Sequence, residues 1–210
     1  MKYCLICLCE LQDHQTLQQW LFMEDPLCKE CRAQFCPVNR KVQINGLNIF
    51  AFYLYDSFME ALLFQMKEGR DIALAPLFFL PFSRWFHQHR HLKWILMPSS
   101  EHKFIERGFS PLREMLKNIP GLLYEPLYKK TDFKQSKRSK VERAQVSQEI
   151  FLKEEYPIPQ GHLLLIDDVC TTGATLQRAY QLLKTHNNEI EAVVLCIHPL
   201  LLEQNKKRSR

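Results

Sequence analysis

The sequence predicts an α/β protein, an open and doubly wound parallel sheet preceded by a small cysteine-rich module. Three observations predict it. Residues 162–166 form an apolar run too short for a helix, which reads as a buried parallel strand, and a polar loop and an amphipathic helix over 176–184 follow it. Upstream, short apolar runs alternate with helical patterns, as βαβ units do. Six of the eight cysteines fall within the first 36 positions, which marks a separate module.

At 210 residues and 46% hydrophobic composition, the chain fits one medium domain plus a small appendage. The predicted division is a module over 1–40, a main domain over 41–202 and a basic tail over 203–210. A net charge of +5 permits a polyanionic partner without requiring one. Residues 1–10 carry cysteines in place of the continuous apolar stretch of a secretory signal. The most apolar segment, 72–82, is far shorter than the roughly 20 residues that cross a bilayer and contains Pro76 and Pro81. It reads as a buried helix of a protein that is not transmembrane. Cys170 and Cys196 read as reduced packing residues.

Within the module, Cys4-Leu5-Ile6-Cys7 and Cys28-Lys29-Glu30-Cys31 are two Cys-x-x-Cys pairs about 20 residues apart. Two residues between thiolates let one knuckle offer both sulfurs to a tetrahedral ion, so Cys4, Cys7, Cys28 and Cys31 are candidate zinc ligands. A disulfide or redox-active pair is the competing reading; the doubled motif and a reducing cytosol favour metal. Four sulfurs leave no position for water, and a segment this short has too little apolar mass to fold alone, so the zinc is expected to be structural. Cys9 and Cys36 are spare thiols able to replace a ligand.

Residues 42–44 and 47–55 read as strands joined at Asn45-Gly46, a hairpin signal. Ser57 opens a capping box ending at Glu60, with Phe58, Ala61, Leu62 and Met66 at helical spacing up to about Gly69. Residues 93–97 read as the next strand, ending at Pro98-Ser99-Ser100 and releasing a basic loop with His102, Lys103, Arg107, Gly108 and Phe109. Ser110-Pro111 starts a helix to about Ile119, proline being favoured at the first helical position, and 122–127 is a further strand. Residues 129–143 carry Lys129, Lys130, Lys134, Lys137, Arg138, Lys140 and Arg143 against Asp132 and Glu142 without apolar rhythm, the pattern of a mobile loop. Residues 189–197 supply the last strand, and 206–210 a frayed end.

The loop after the 162–166 strand reads Asp167-Asp168-Val169-Cys170-Thr171-Thr172-Gly173-Ala174-Thr175. Ligands of open α/β sheets bind at the carboxyl ends of strands. Adjacent carboxylates can accept hydrogen bonds from sugar hydroxyls, while loop amides, threonine hydroxyls and the start of a helix can cradle a phosphate. A strand end, a turn and an N-cap without any ligand would also account for the aspartate pair. The Gly-Lys-Thr/Ser ending of a Walker loop is absent.

As a whole the string resembles the phosphoribosyl pyrophosphate (PRPP) motif of type I phosphoribosyltransferases. The paired knuckles, Tyr55, Lys67-Glu68-Gly69-Arg70-Asp71, Pro98, Arg107-Gly108-Phe109, the basic loop and this motif occur in an order that resembles the ComF family over nearly the whole chain. After Phe109 the chain reads Ser110-Pro111, and after Arg143 it reads Ala144-Gln145; both depart from that family's pattern. The resemblance implies a type I phosphoribosyltransferase fold and a competence protein that assists uptake of single-stranded DNA in natural transformation, beside a helicase-like partner, ComFA. It implies a cytoplasmic location, with membrane uptake machinery at the inner face as an option.

The same resemblance implies a PRPP site. Thr171, Thr172, Gly173, Ala174 and Thr175 would take the 5′-phosphate, and Ser99, Ser100, Lys103 and Arg107 the diphosphate, with Mg2+ bridging diphosphate and ribose oxygens. Asp167 and Asp168 are the catalytic candidates, able to offset positive charge at the ribose carbon if the diphosphate leaves. Lys130, Lys134, Lys137, Arg138, Lys140 and Arg143 are the DNA-binding candidates, with Phe104, Phe109 and Phe133 as stacking platforms. No residue presents itself as the base for an acceptor. Binding is therefore the expectation, and an active phosphoribosyltransferase of nucleotide salvage the alternative.

Overall fold

The computed structural model describes residues 2–11, 25–130, 150–184 and 187–208. Antiparallel β1 (Lys2–Tyr3) and β2 (Glu10–Leu11), with helix α1 (Lys29–Ala33), build the N-terminal module. Cys4, Leu27, Cys31 and Phe35 are buried and join the main core, where the Phe35 ring lies 5.3 Å from Tyr53 and 5.2 Å from Phe58.

β3 (Pro37–Ile44) pairs antiparallel with β4 (Leu47–Leu54). Asn45 and Gly46 join them with φ of 44° and 86°, the left-handed pair that matches a two-residue hairpin to the twist of its strands. In α2 (Ser57–Lys67), Ser57 is the first helical residue and Asp56 the cap, its carboxylate accepting the Met59 amide at 2.9 Å. An ionised carboxylate is a stronger acceptor than the neighbouring hydroxyl, which moves the cap back from the predicted Ser57.

The apolar segment 72–82 is not one helix. Tight turns at Ile72–Leu74 and Leu80–Phe82 flank α3 (Pro76–Phe79), and α4 (Ser83–Gln88) follows. Each proline stands at the start of its turn of helix, because it has no amide to donate from an interior position. β5 (Lys93–Leu96) leads into a helix where the sequence predicts a loop: α5 (Glu101–Arg107) is capped by Ser100 Oγ, which accepts the Lys103 amide at 3.4 Å, and it ends at Gly108. α6 (Pro111–Leu116) is shorter than predicted.

The predicted strand 122–127 divides into β6 (Leu122–Tyr124) and β7 (Leu127–Lys129), and β7 pairs antiparallel with β8 (Ile150–Leu152). β10 (Glu189–Ile197) spans its predicted range and α7 (Ala174–Lys184) starts two residues early, whereas β9 (His162–Cys170) runs four residues past its predicted end, so Asp167 and Asp168 lie in the strand and not in the loop after it. α8 (Pro199–Arg208) extends through 206–208, where the sequence predicts a frayed end.

Among the described residues the main sheet has six strands in the order β3-β4-β10-β9-β5-β6, and every pairing except β3 with β4 is parallel. In-register parallel neighbours share a face. Phe50, Val193, Ile166 and Leu96 therefore line one face, which Asp168, two residues beyond Ile166, joins. Rings from the helices cover it: Phe82 stacks on Phe52 at 3.8 Å, Trp85 on Phe50 at 5.4 Å, and Phe86 meets Trp94 at 5.1 Å. Ala51, Val194 and Asp167 share the opposite face, with Leu165 and Ile95. There α7 packs on β8, β9 and β10 with Leu176, Ala179 and Leu183 buried. Cys170 and Cys196 are buried in this core. Among the described residues no helix is long and apolar enough to cross a membrane.

Candidate functional site

β9 carries the acidic pair to the carboxyl edge of the sheet, where strand alternation turns the two side chains to opposite faces. On one face, the Asp168 carboxylate meets the ammonium of Lys67, the last residue of α2, at 2.5 Å. α2 begins at the carboxyl end of β4 and finishes at that of β9, so it crosses the strands along this edge. On the other face, Lys129 at the end of β7 acts on the Asp167 carboxyl through its charge.

Thr171 and Thr172 are exposed beyond the pair, and Gly173 is buried. Gly173 has φ 77°, and a Cβ there would fall 2.6 Å from Ile44 Cδ1; only glycine lets the loop lie this close to the end of β3. Thr172 Oγ1 accepts the Ala174 amide at 3.3 Å, and the Gly173 carbonyl accepts the Gln177 amide at 2.8 Å, which opens α7 around Thr175. Gln177 Nε2 donates to the Ile44 carbonyl at 2.5 Å and fixes the helix start to the hairpin. β5 ends alongside: the Met97 amide donates to the Ile166 carbonyl at 2.9 Å, and Ser100 bridges to Lys129. Ser99, exposed, and Ser100, buried, thus leave the sheet next to the acids.

Asp167 accepts the Asp168 amide at 2.9 Å. Burial, and then the negative charge of Asp168, push its carboxyl up to about 7, against the smaller opposing effects of that amide, Lys67 and Lys129. In the unfolded chain an aspartate titrates near 3.9. Between those values the native state keeps a proton the unfolded state has lost, so stability falls as pH rises from about 4 to 7 and the penalty is complete above that. Asp167→Asn removes the titration. Its thermal midpoint is expected to gain several degrees on the wild type between pH 4 and pH 8; a difference that stays constant over that range would refute the burial effect.

Lys103 and Arg107 are turned toward Glu68. The buried Arg107 guanidinium takes both carboxylate oxygens, with Nε 3.3 Å from Oε2 and Nη2 against Oε1, and Lys103 Nζ lies 3.5 Å from Oε1. Arg107, with Lys103 adding to it, holds the Glu68 carboxyl below the usual range. Arg70 Nη2 donates to the Glu106 carbonyl at 2.6 Å, so residues 67–70 tie the end of α2 to both β9 and α5. Of the proposed stacking rings, Phe109 is buried in the core and Phe104 is half exposed. Lys130 follows β7; Lys134, Lys137, Arg138, Lys140, Arg143 and Phe133 lie outside the described residues. Sequence reasoning does not place Lys67 or Glu68 at the site. Only the run of charges at 67–71 hints at them, because their partners are distant in the chain.

In the module, the sulfurs of Cys4, Cys7, Cys28 and Cys31 lie within 4.8 Å of one another, and Cys7 and Cys28 are 3.7 Å apart. Zn–S bonds of about 2.3 Å in a tetrahedron set neighbouring sulfurs about 3.8 Å apart, so this donor set fits a metal such as zinc. Cys28 caps α1 by accepting the Cys31 amide at 3.4 Å. Cys9 and Cys36 are exposed and are not among the four; the Cys9 thiol lies beside Cys7 and Cys28, and Cys36 lies nearer Asp56.

The model of the phosphoribosyl transferase domain family matches residues 106–209, which includes the acidic pair, its loop and α7. The chain is 23% identical over 205 residues to competence protein ComFC of Streptococcus pneumoniae, covering 86% of this chain and 93% of that one. It is 31% identical over 156 residues to competence protein ComFC of Bacillus subtilis, covering 73% and 64%. Among solved structures, an adenine phosphoribosyltransferase overlaps 85% of this chain and 93% of its own, with a TM-score of 0.42 at 14% identity. These similarities, to competence protein ComFC over most of this chain and to the phosphoribosyl transferase domain over a stretch that contains the Asp167-Asp168 edge, support a ComFC-like protein of the phosphoribosyltransferase type.

Proposed function

We propose that this competence-associated protein binds PRPP with Mg2+ at the carboxyl edge of β9, acts on single-stranded DNA during uptake, and uses zinc to hold its N-terminal module together. The observation that carries the PRPP reading is one juxtaposition. Two carboxylates stand near the carboxyl end of β9, the Thr171-Thr172-Gly173 turn opens directly onto α7 with Ala174 and Thr175 in its first turn, and the Ser99-Ser100 turn follows the adjacent strand. Asp168 and Asp167 would accept ribose hydroxyls, the loop amides and threonine hydroxyls would take the 5′-phosphate, and Mg2+ would supply positive charge to the diphosphate. Zinc would be held by Cys4, Cys7, Cys28 and Cys31 in a closed, structural site. The cations of 130–143 favour a polyanion; neutralising about five phosphates of a single strand gives a log-log salt slope of roughly −3.5.

Titration calorimetry with PRPP and Mg2+ tests the site. The wild type is expected to bind, and Asp168→Asn to bind at least about tenfold more weakly, the loss of one charge-assisted acceptor. Absence of binding in the wild type, or equal affinity in the variant, refutes the reading. A single-stranded oligonucleotide titrated at several salt concentrations tests the DNA part; a flat salt dependence refutes it.

A further inference from the structure

The diphosphate end of the ligand needs a cation, and the two the sequence nominates both pair with Glu68, whereas Lys67 pairs with an acid of the β9 edge itself. Arg107 is buried with its fork on Glu68, and Lys103 shares the same carboxylate. Lys67 differs from both. It immediately precedes Glu68, so it stands between the acidic end of β9 and α5, the helix that begins at Ser99-Ser100. Its side chain and that of Asp168 each keep 18% of their surface exposed, so the pair is fixed yet open to a ligand. An ammonium has three donors, and the Asp168 contact uses one.

Resting on the PRPP reading above, the geometry points to Lys67 as the diphosphate-binding cation of this site, held ready by Asp168. With the ligand docked, ribose hydroxyls donate to Asp168 and the remaining Lys67 donors reach the diphosphate oxygens. No covalent step is involved. The 5′-phosphate, at the Thr171 to Thr175 loop, lies beyond this contact.

The split between two ligands tests it. PRPP carries the diphosphate and ribose 5-phosphate lacks it. With Mg2+ present, Lys67→Gln is expected to weaken PRPP binding by roughly ten- to a hundredfold, the worth of a charge-assisted contact, while ribose 5-phosphate affinity stays within about twofold. Lys67→Arg is expected to recover most of the PRPP affinity. Equal PRPP affinity in Lys67→Gln and wild type overturns the assignment and leaves the site reading standing. Equal loss of both ligands also overturns it, because Lys67 would then act only by shaping Asp168. A wild type that binds neither sugar phosphate removes the site reading itself, and the assignment with it.

Discussion

Cys28→Ser is expected to release the metal and unfold the N-terminal module. The module's own bonding is slight. β1 and β2 have two residues each, and α1 has five, less than two turns. Pieces this short are unstable alone, because helix nucleation is costly and a two-stranded ribbon is marginal in water. A closed thiolate site supplies on the order of 10 kcal/mol in peptides of comparable size. Cys28 has two functions, since its sulfur also caps α1 through the Cys31 amide. The expected result is loss of stoichiometric zinc by elemental analysis, and fast amide exchange across residues 2–11 and 25–36. Cys9→Ser and Cys36→Ser, which leave the group of four sulfurs intact, are expected to keep the metal. Retained zinc in Cys28→Ser, with unchanged exchange, would refute the assignment.

The second large effect is expected at Glu68→Gln. Arg107 has a side chain 6% exposed and cannot lose its charge, so removing the carboxylate leaves a guanidinium inside the protein without its counterion. Breaking such a pair costs about 3–5 kcal/mol; Glu68 keeps 30% of its side-chain surface, which places the expected loss near the lower figure, about 3 kcal/mol. The pH dependence has a definite sign. Arg107 depresses the folded-state titration of Glu68, so the stabilisation is present above the ordinary carboxylate range and lost as pH falls below it. The gap between wild type and Glu68→Gln in denaturant unfolding is therefore expected to narrow on acidification. Glu68→Leu/Arg107→Met, which removes both charges, is expected to restore much of the loss. A single variant as stable as wild type at neutral pH would show that the pair contributes nothing.

Both effects depend on contacts that differ in how visible they are in the sequence. The thiolates are legible because spacing alone determines how a knuckle meets an ion, and β9 with its loop and α7 are legible because burial on both faces leaves an unbroken apolar run before polar residues. The Asn45-Gly46 hairpin is legible for its backbone requirement. Residues 101–107 read as a loop because Phe104 and Ile105 stay exposed, so α5 has no apolar stripe and is announced only by Ser100 and Gly108 at its ends. In 72–82 the unbroken apolar character reads as one helix although Pro76 and Pro81, both visible in the sequence, each start a new turn. The Lys67 to Asp168 and Glu68 to Arg107 pairs join elements far apart in the chain, and no local period records them.

The strand order also governs how the chain must be made. β10, more than a hundred residues after β4, inserts between β4 and β9 and hydrogen-bonds to both. During synthesis from the N-terminus, the early hairpin and the acid-bearing strand both wait with open edges until the last strand emerges. Closure over so long a separation is slow, so the nascent protein passes through a period in which a chaperone has two unpaired edges to guard.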